Sequence, residues 1–585
     1  MKFDDVFPYL GDFGPYQRQQ YFMLGMVLFS CGAHVMMTVF TLAVPAHRCA
    51  IPGLANDTYE VKGDLHASLI NSYVPRESSG PDPPHYSQCR VYNAAHDNAS
   101  DGLHPTNVNL SEAVGFSRNV YTNISGKDIG SVPCSSWVYS RADFTSTIAT
   151  QMNFVCEQGI QKSHTSMTLM SGQVIGCLLL GPMADVIGRK KMMMICLAIH
   201  LLASVLITWA VNVYMLGTLF LLNGMAMATA YCTAFTLDME LIGPKWRHVT
   251  GVASTIFWSF GMLWVCFLAY FLRDWQHLQL AASCPIVLFS AFFVVVPESA
   301  RWLIGRGRHA EARAIVLRAA RTNGRSLPAA VLTDSEVDEK AQQSDSIMAL
   351  LKCPPLLIRA LITFLNWAVC SLTYYGLSLN VGQLSGDIYL NFCLMAVFEI
   401  VASLIIMAAM GRFGRKVLYC SLLNLGAVSC ILTLFPVLFG DKSVAWTVSM
   451  LAMIGKFGVS GAFSIVWMFT SELFPTSLRA SVTSTSSGCA RLGAVAASYI
   501  ANLNVDGDIG VVLPQIIFGA CGIVAGVLAL FLPETQKKQL PESIQDAMKF
   551  LSMEVTVEAG NGVEMKPITD EDADRRRCSD SDDRR

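Results

Sequence analysis

Three short charged motifs occur twice in this chain, in the same order and at a nearly constant offset. The first set is Asp185 with the run Gly188–Lys191, then Glu240, Pro244 and Arg247, then Pro297 and Glu298. The second is Gly411–Lys416, then Glu472, Pro475 and Arg479, then Pro533 and Glu534. The sets lie 226, 232 and 236 residues apart, and in both copies the Glu precedes the Arg by seven positions. A unit written twice is expected to fold as two similar bodies, an arrangement typical of membrane carriers when the sequence between the motifs is apolar.

That sequence is apolar. Hydrophobic residues make up 52% of the chain and charged ones 15%, with a mean hydropathy of +0.42, too little polarity to cover a water-facing surface, so a lipid bilayer is the expected solvent. Twelve stretches of 18 or more mostly apolar residues read as membrane helices: 21–44, 165–184, 192–213, 215–237, 250–271, 278–296, 358–379, 388–410, 417–439, 444–469, 481–503 and 510–532. The expected class is an all-α membrane protein of two pseudo-symmetric six-helix bundles. A formal charge of -2 leaves no concentrated basic surface for nucleic acid.

Basic residues near helix ends stay on the cytoplasmic side. Arg189, Lys190 and Lys191 follow the second span, Lys245 and Arg247 the fourth, and Arg412, Arg415 and Lys416 the eighth, whereas the intervening loops hold little such charge. Both termini are therefore expected in the cytoplasm: 1–20 as an N-terminal segment, 21–296 and 358–532 as the two bundles, 297–357 as a cytoplasmic linker and 533–585 as a largely disordered tail. Asp4, Asp5 and Asp12 ahead of a first run long enough to span argue against a cleaved signal peptide. The Arg-rich run Arg306–Arg325 in the linker has helical spacing and reads as an amphipathic bundle at the membrane surface.

The long segment 45–164 between the first two spans is expected outside the cell. It holds four N-x-Ser/Thr triplets, at Asn56, Asn98, Asn109 and Asn123, which mark it for glycosylation. Cys49, Cys89, Cys134 and Cys156 form an even set in an oxidising compartment and predict two disulfides among three possible pairings. The cysteines within the spans read as small apolar packing residues.

More specific strings accompany these features: Gly181–Lys190 (GPMADVIGRK), Pro133–Tyr139 (PCSSWVY), Pro297–Leu303 (PESARWL), Tyr374–Asn380 (YYGLSLN), Gly455–Gly458 (GKFG) and Ser471–Arg479 (SELFPTSLR). As an ordered set running from about Phe3 to Ala547, they resemble the organic cation, carnitine and organic anion transporters, solute carrier family twenty-two of the major facilitator superfamily. The resemblance implies that superfamily's fold and alternating access to a central site. One departure stands out: Gly411 and Met407 replace the Asp and Gly of the loop signature in the second copy, which makes the gate asymmetric and assigns more of it to Asp185 and Arg189.

Asp185, Arg189, Glu240, Arg247, Glu472 and Arg479 form a charge cluster near cytoplasmic helix ends, and ion pairs between helices there are expected to gate the inner side. The competing reading is that such charges only anchor helix ends at the headgroups, the role assigned to Lys190 and Lys191.

Charge inside the spans points to substrate. An ionisable group at membrane depth costs roughly 2.5–3.5 kcal/mol on insertion scales, so Glu399, Lys456 and Arg491 are expected to face a central cavity or to pair with one another. Trp367, Tyr374 and Tyr375 share one face of the seventh span, and Lys456, Phe463 and Trp467 one face of the tenth. These aromatics, with Phe235, Phe257 and Trp258, are candidates for the wall, where ring faces can hold a cation or simply pack. The family resemblance implies that Arg at position 491, in place of the Asp of cation-selective members, suits carnitine or anion carriers. A guanidinium there can hold a carboxylate bidentately.

The resulting expectation is a plasma-membrane secondary transporter of small organic ions, carnitine-like zwitterions or other organic cations, with organic anion exchange as the alternative and a sugar transporter of the same superfamily as a more distant one. Co-transported sodium, a proton or a counter-anion is an open partner. No cofactor, metal or enzymatic activity is expected: GxxxxGK[ST], HExxH and GxSxG strings are missing, and His34 and His200 stand alone in sequence.

Overall fold

The computed structural model describes residues 6–51, 54, 56–76, 86–92, 131–289, 292–325, 353–384, 386–439, 446–503 and 508–536. Among the described residues twelve long helices dominate. They are α1 (Pro15–Thr41), α2 (Ile160–Ile175, continued through a wide turn Gly176–Leu180 into Gly181–Ile187), α3 (Arg189–Ile207), α4 (Val213–Leu241), α5 (Arg247–Phe271) and α6 (Trp275–Leu288). The second six are α7 (Pro354–Leu379), α8 (Ile388–Ala409), α9 (Arg415–Leu432), α10 (Trp446–Leu473), α11 (Thr476–Ile500) and α12 (Asp508–Ala529).

Caps, rather than apolarity, set where these helices begin. Asn212 accepts the Met215 amide at the start of α4, Asp387 accepts the Leu390 amide at the start of α8, and Pro354 and Pro355 open α7. Helix α4 therefore starts two residues and α7 four residues before the apolar windows, while α8 starts with its window at residue 388. Among the described residues, ten helices are long and apolar enough to cross a bilayer. The other two depart from expectation for identifiable reasons. The unbroken α6 is only 14 residues long and contains Pro285. Helix α11 is 25 residues long but carries the polar run Thr483–Ser487, which has to face protein or water rather than lipid.

The duplication in sequence is a duplication in packing. Helix α3 lies on α4 as α9 lies on α10, α2 on α4 as α8 on α10, and α1 on α5 as α7 on α11. Gly261 on α5 and Gly493 on α11, again 232 residues apart, sit at equivalent crossings. A Cβ at either would collide with a backbone carbonyl of the facing helix, that of Phe29 or of Ala368.

Beyond the ends of α2 and α4, helices Phe7–Leu10, Ala300–Gly305 and His309–Thr322 share an apolar core of Phe7, Leu10, Leu303, Ala312, Val316 and Ala319. Arg313, Arg318 and Arg321 occupy the opposite, exposed face. Residues 326–352 of the linker and 537–585 of the tail lie outside the described residues.

Thr38–Ser163 and Ala269–Leu278 form a separate compact unit. In it β1 (His47–Cys49) pairs antiparallel with β4 (Trp137–Tyr139), and β2 (Arg90–Tyr92) with β3 (Ser131–Pro133). Disulfides Cys49–Cys134 and Cys89–Cys156 select one of the three pairings. Asn56 is exposed, while Asn98, Asn109 and Asn123 lie outside the described residues. The buried Arg48 is paired with Asp57, which also accepts the Ile51 amide and lies 2.9 Å from His66. Burial alone raises the Asp57 carboxyl, but the bonds from Arg48, Ile51 and His66 outweigh it and hold the group below its ordinary value.

A carboxyl depressed by folding contributes stability above its unfolded value, about 4, and loses that contribution as pH falls through the lower folded value. Hydrogen exchange at the β1 and β4 amides, corrected for intrinsic rate, should rise in wild type as pH drops below about 4. The Asp57→Asn protein should exchange fast at every pH.

Candidate functional site: a charged aromatic cavity between the helix bundles

A cavity of about 800 Å³, counting the space open to solvent, lies between the two sets of six helices. Trp258, Trp367, Tyr374, Tyr375, Glu399, Phe463, Trp467 and Arg491 line it together with Gln173 and Tyr231. The rings form a continuous wall: Trp367 meets Trp467 at 4.5 Å between centroids, Tyr374 stacks on Phe463 at 5.8 Å, and Tyr231 meets Trp258 edge-on at 5.7 Å. Hydrogen bonds fix their orientation, since Trp367 Nε1 donates to Thr470 Oγ1 and Trp258 Nε1 donates to the Tyr374 hydroxyl.

Glu399 sits at one side of this wall, 4% exposed. The Tyr374 hydroxyl lies 3.0 Å from each of its oxygens, Ser259 Oγ donates at 3.0 Å, and Lys456 Nζ lies 3.3 Å away. Lys456 is fully buried; it donates to Ser378 Oγ at 2.7 Å and rests 3.1 Å above the Tyr374 ring. Its ammonium pairs with Glu399, one of the two arrangements expected for it, and Lys456 is not among the residues that line the cavity. Burial drives the ammonium toward the nearest carboxylate and ring face, here those of Glu399 and Tyr374.

Arg491 is placed differently. Its Nη1 donates to Gln173 Oε1 at 2.7 Å, and among the described residues no carboxylate pairs with it. Gln173 is almost fully buried, yet its Nε2 has no hydrogen-bond partner among the described residues. Among the described residues the cavity thus carries one neutralised pair, one guanidinium without a carboxylate partner and one unused amide donor.

Phe235 and Phe257 do not line the cavity. Phe235 lies one turn beyond Tyr231, its ring 6.0 Å from Trp467, and Phe257 turns to the other face of α5 against Tyr21 and Phe22. Helices of the two sets are joined by Ser166–Ser498, Gln173–Arg491, Ser259–Glu399 and Thr255–Ser403 hydrogen bonds.

The charged motifs form two copies of one network at the ends of α2, α4, α8 and α10. Arg189 pairs with Glu240, and Arg415 lies 3.4 Å from Glu472. Ser299 Oγ donates to Glu240 as Thr535 Oγ1 donates to Glu472. Glu298 accepts the Lys190 amide at the start of α3, and Glu534 accepts the Arg415 and Lys416 amides at the start of α9. Trp302 Nε1 donates to the Asp185 carbonyl and Gln536 Nε2 to that of Gly411, so the side chain missing in the second copy is not what this contact needs.

Each of these pairs lies within one set of six helices, not across the two. Asp185 is largely exposed and 3.5 Å from Arg189, a weak surface pair. Arg247 donates to the Met239 and Ile242 carbonyls, and Arg479 donates to the Phe474 carbonyl while interacting electrostatically with Glu472.

A family profile described as "Sugar (and other) transporter" matches residues 129–546. The Drosophila melanogaster organic cation transporter protein is 31% identical over 560 residues, 94% of this chain and 95% of the relative. The Homo sapiens organic cation/carnitine transporter 2 is 32% identical over 563 residues, covering 94% and 95%. Rattus norvegicus solute carrier family 22 member 7 is 32% identical over 566 residues, covering 95% and 100%. The chain belongs to solute carrier family 22 of the major facilitator superfamily.

Membership makes it a multi-pass membrane transporter rather than an enzyme. The fold agrees: the xylose transporter XylE from E. coli, in a partially occluded inward open conformation, superposes with a TM-score of 0.54 at 18% identity, over 66% of this chain and 90% of that one. XylE bound to 6-bromo-6-deoxy-D-glucose gives 0.53 at 16% identity, over 92% and 99%.

Sequence reasoning missed Gln173 and Tyr231 in this family member's cavity, and Ser259 as a donor to Glu399. Gln173 had a usable signal, the one amide side chain in a span whose other polar groups are Ser and Thr hydroxyls. His34 and His200, far apart in sequence and readable as packed or pore-lining, pack ring to ring at 4.5 Å in the core of the first six helices.

Proposed function

We propose that this chain carries small organic ions bearing both an ammonium and a carboxylate, carnitine-like zwitterions, together with other organic cations, across the plasma membrane. The observation that carries this reading is that Arg491 and Glu399 line one aromatic-walled cavity. The guanidinium and the Gln173 amide receive the carboxylate, and the rings with Glu399 receive the ammonium.

Transport proceeds by alternating exposure of this cavity as the two bundles rock. Both termini and the motif-bearing loops are cytoplasmic, and the disulfide-linked segment with its sequons is outside. The Arg189–Glu240 and Arg415–Glu472 networks act by keeping each bundle stiff at its inner end, so the gating role falls to whole-body motion rather than to breaking a pair between halves.

A second reading, organic anion exchange, is favoured by one observation. Lys456 already neutralises Glu399, which leaves Arg491 as the net charge of the site. Uptake into proteoliposomes of labelled carnitine, tetraethylammonium and a dicarboxylate, with and without a sodium gradient, separates the two. Carnitine uptake exceeding dicarboxylate uptake is expected; dicarboxylate uptake alone would establish the anion reading, and uptake of none would remove both.

A further inference from the structure

Cys177 on α2 and Cys232 on α4 bring their sulfurs to 3.9 Å. Neither is sealed in the core, since both side chains are half-buried. Each lies one helical turn from a cavity-lining residue, Cys177 from Gln173 and Cys232 from Ala228. The Arg491 guanidinium interacts electrostatically with both sulfurs. Their separation is held by backbone contact. A Cβ at Gly176, the neighbour of Cys177, would run into the Met225 carbonyl, so α2 and α4 meet backbone to backbone beside the two sulfurs. Small apolar packing, the role expected of membrane cysteines, does not require two thiols to face each other at the edge of a polar cavity.

We propose that Cys177 and Cys232 form a dithiol site that captures trivalent arsenicals and similar thiophilic electrophiles able to bridge two sulfurs. With an aryl arsenoxide the arsenic–oxygen bond breaks and two arsenic–sulfur bonds form. The oxygen leaves with both thiol protons as water, and no electrons are exchanged. Two sulfurs fixed in reach of one arsenic make the second bond effectively intramolecular, so the cyclic adduct outlasts one on a single thiol such as exposed Cys284. The bound aryl group lies beside Arg491 and Gln173 and obstructs the cavity. That last consequence rests on the proposed transport path; capture itself does not.

The test uses the full-length protein in proteoliposomes, treated with phenylarsine oxide, washed with a monothiol and read by intact mass and by uptake. Wild type should retain one arylarsenic group through the monothiol wash and release it to 2,3-dimercaptopropanol. Cys177→Ser and Cys232→Ser should each lose that retention while untreated uptake stays at the wild-type level. Retention persisting in the Cys177→Ser/Cys232→Ser double variant, or no retention in wild type, overturns the site. Retention as expected with uptake undiminished upholds the dithiol and overturns the transport path instead.

Discussion

Replacing Arg491 with alanine should abolish most uptake of a carboxylate-bearing substrate and leave tetraethylammonium uptake near wild type. The guanidinium has no carboxylate partner among the described residues, so a substrate carboxylate is the group that completes its coordination. Removing one member of such a buried, hydrogen-bonded charge pair costs about 2–5 kcal/mol, roughly 30-fold or more in apparent affinity. Arg491→Lys keeps the charge but loses the planar fork, and should fall between the two. The measurement is concentration-dependent uptake of carnitine and tetraethylammonium. Equal losses for both substrates would mean that Arg491 supports the α2–α11 contact through Gln173 and does not bind substrate.

The second large effect concerns Glu399. Glu399→Gln leaves the fully buried Lys456 ammonium without its carboxylate, and breaking a buried pair in this way destabilises by about 3–5 kcal/mol. The single variant should therefore lose both thermal stability and transport. The informative protein is the double variant Glu399→Gln/Lys456→Met, which removes both charges at once. Its melting temperature should return close to wild type, because the uncompensated charge is gone. If Glu399 also receives the substrate ammonium, uptake of cations and zwitterions stays low in that protein. Full recovery of uptake with stability would reduce the pair to a structural role. The readouts are a thermal unfolding scan in detergent and uptake on the same preparation.

How legible this was from the chain depended on how local the information is. The six-helix repeat was plain because each copy of its motifs carries the same residues at the same spacing. The two helices that fall outside the simple apolar pattern, α6 and α11, are the ones with Pro285 and with the Thr483–Ser487 run. The starts of α4 and α7 lie before their apolar windows because Asn212 and Pro354 act through capping and fixed backbone angles, which an apolar window ignores. In the cavity, helical periodicity placed Trp367, Tyr374 and Tyr375 on one wall. It could not separate Lys456 from Phe463 and Trp467, since all three share a face of α10 and differ in which neighbour waits at each level. The partner of Glu472 was likewise a matter of three dimensions. Arg479, seven residues on, interacts with it electrostatically, but the ion pair comes from Arg415, more than fifty positions away and on another helix. Glu298 and Glu534 were visible as repeated letters, yet their use as amide acceptors depends on the chain returning to the same end four helices later.

That return gives each bundle a property of its own. The carboxylate that follows the sixth helix grips the amides that open the third, and the one after the twelfth grips those that open the ninth, so the last strut of each body is knotted to its middle. Neither knot borrows an atom from the opposite body. Each half therefore carries in its own residues the fastening of its final helix, and what the two halves hold in common is the lining of the cavity.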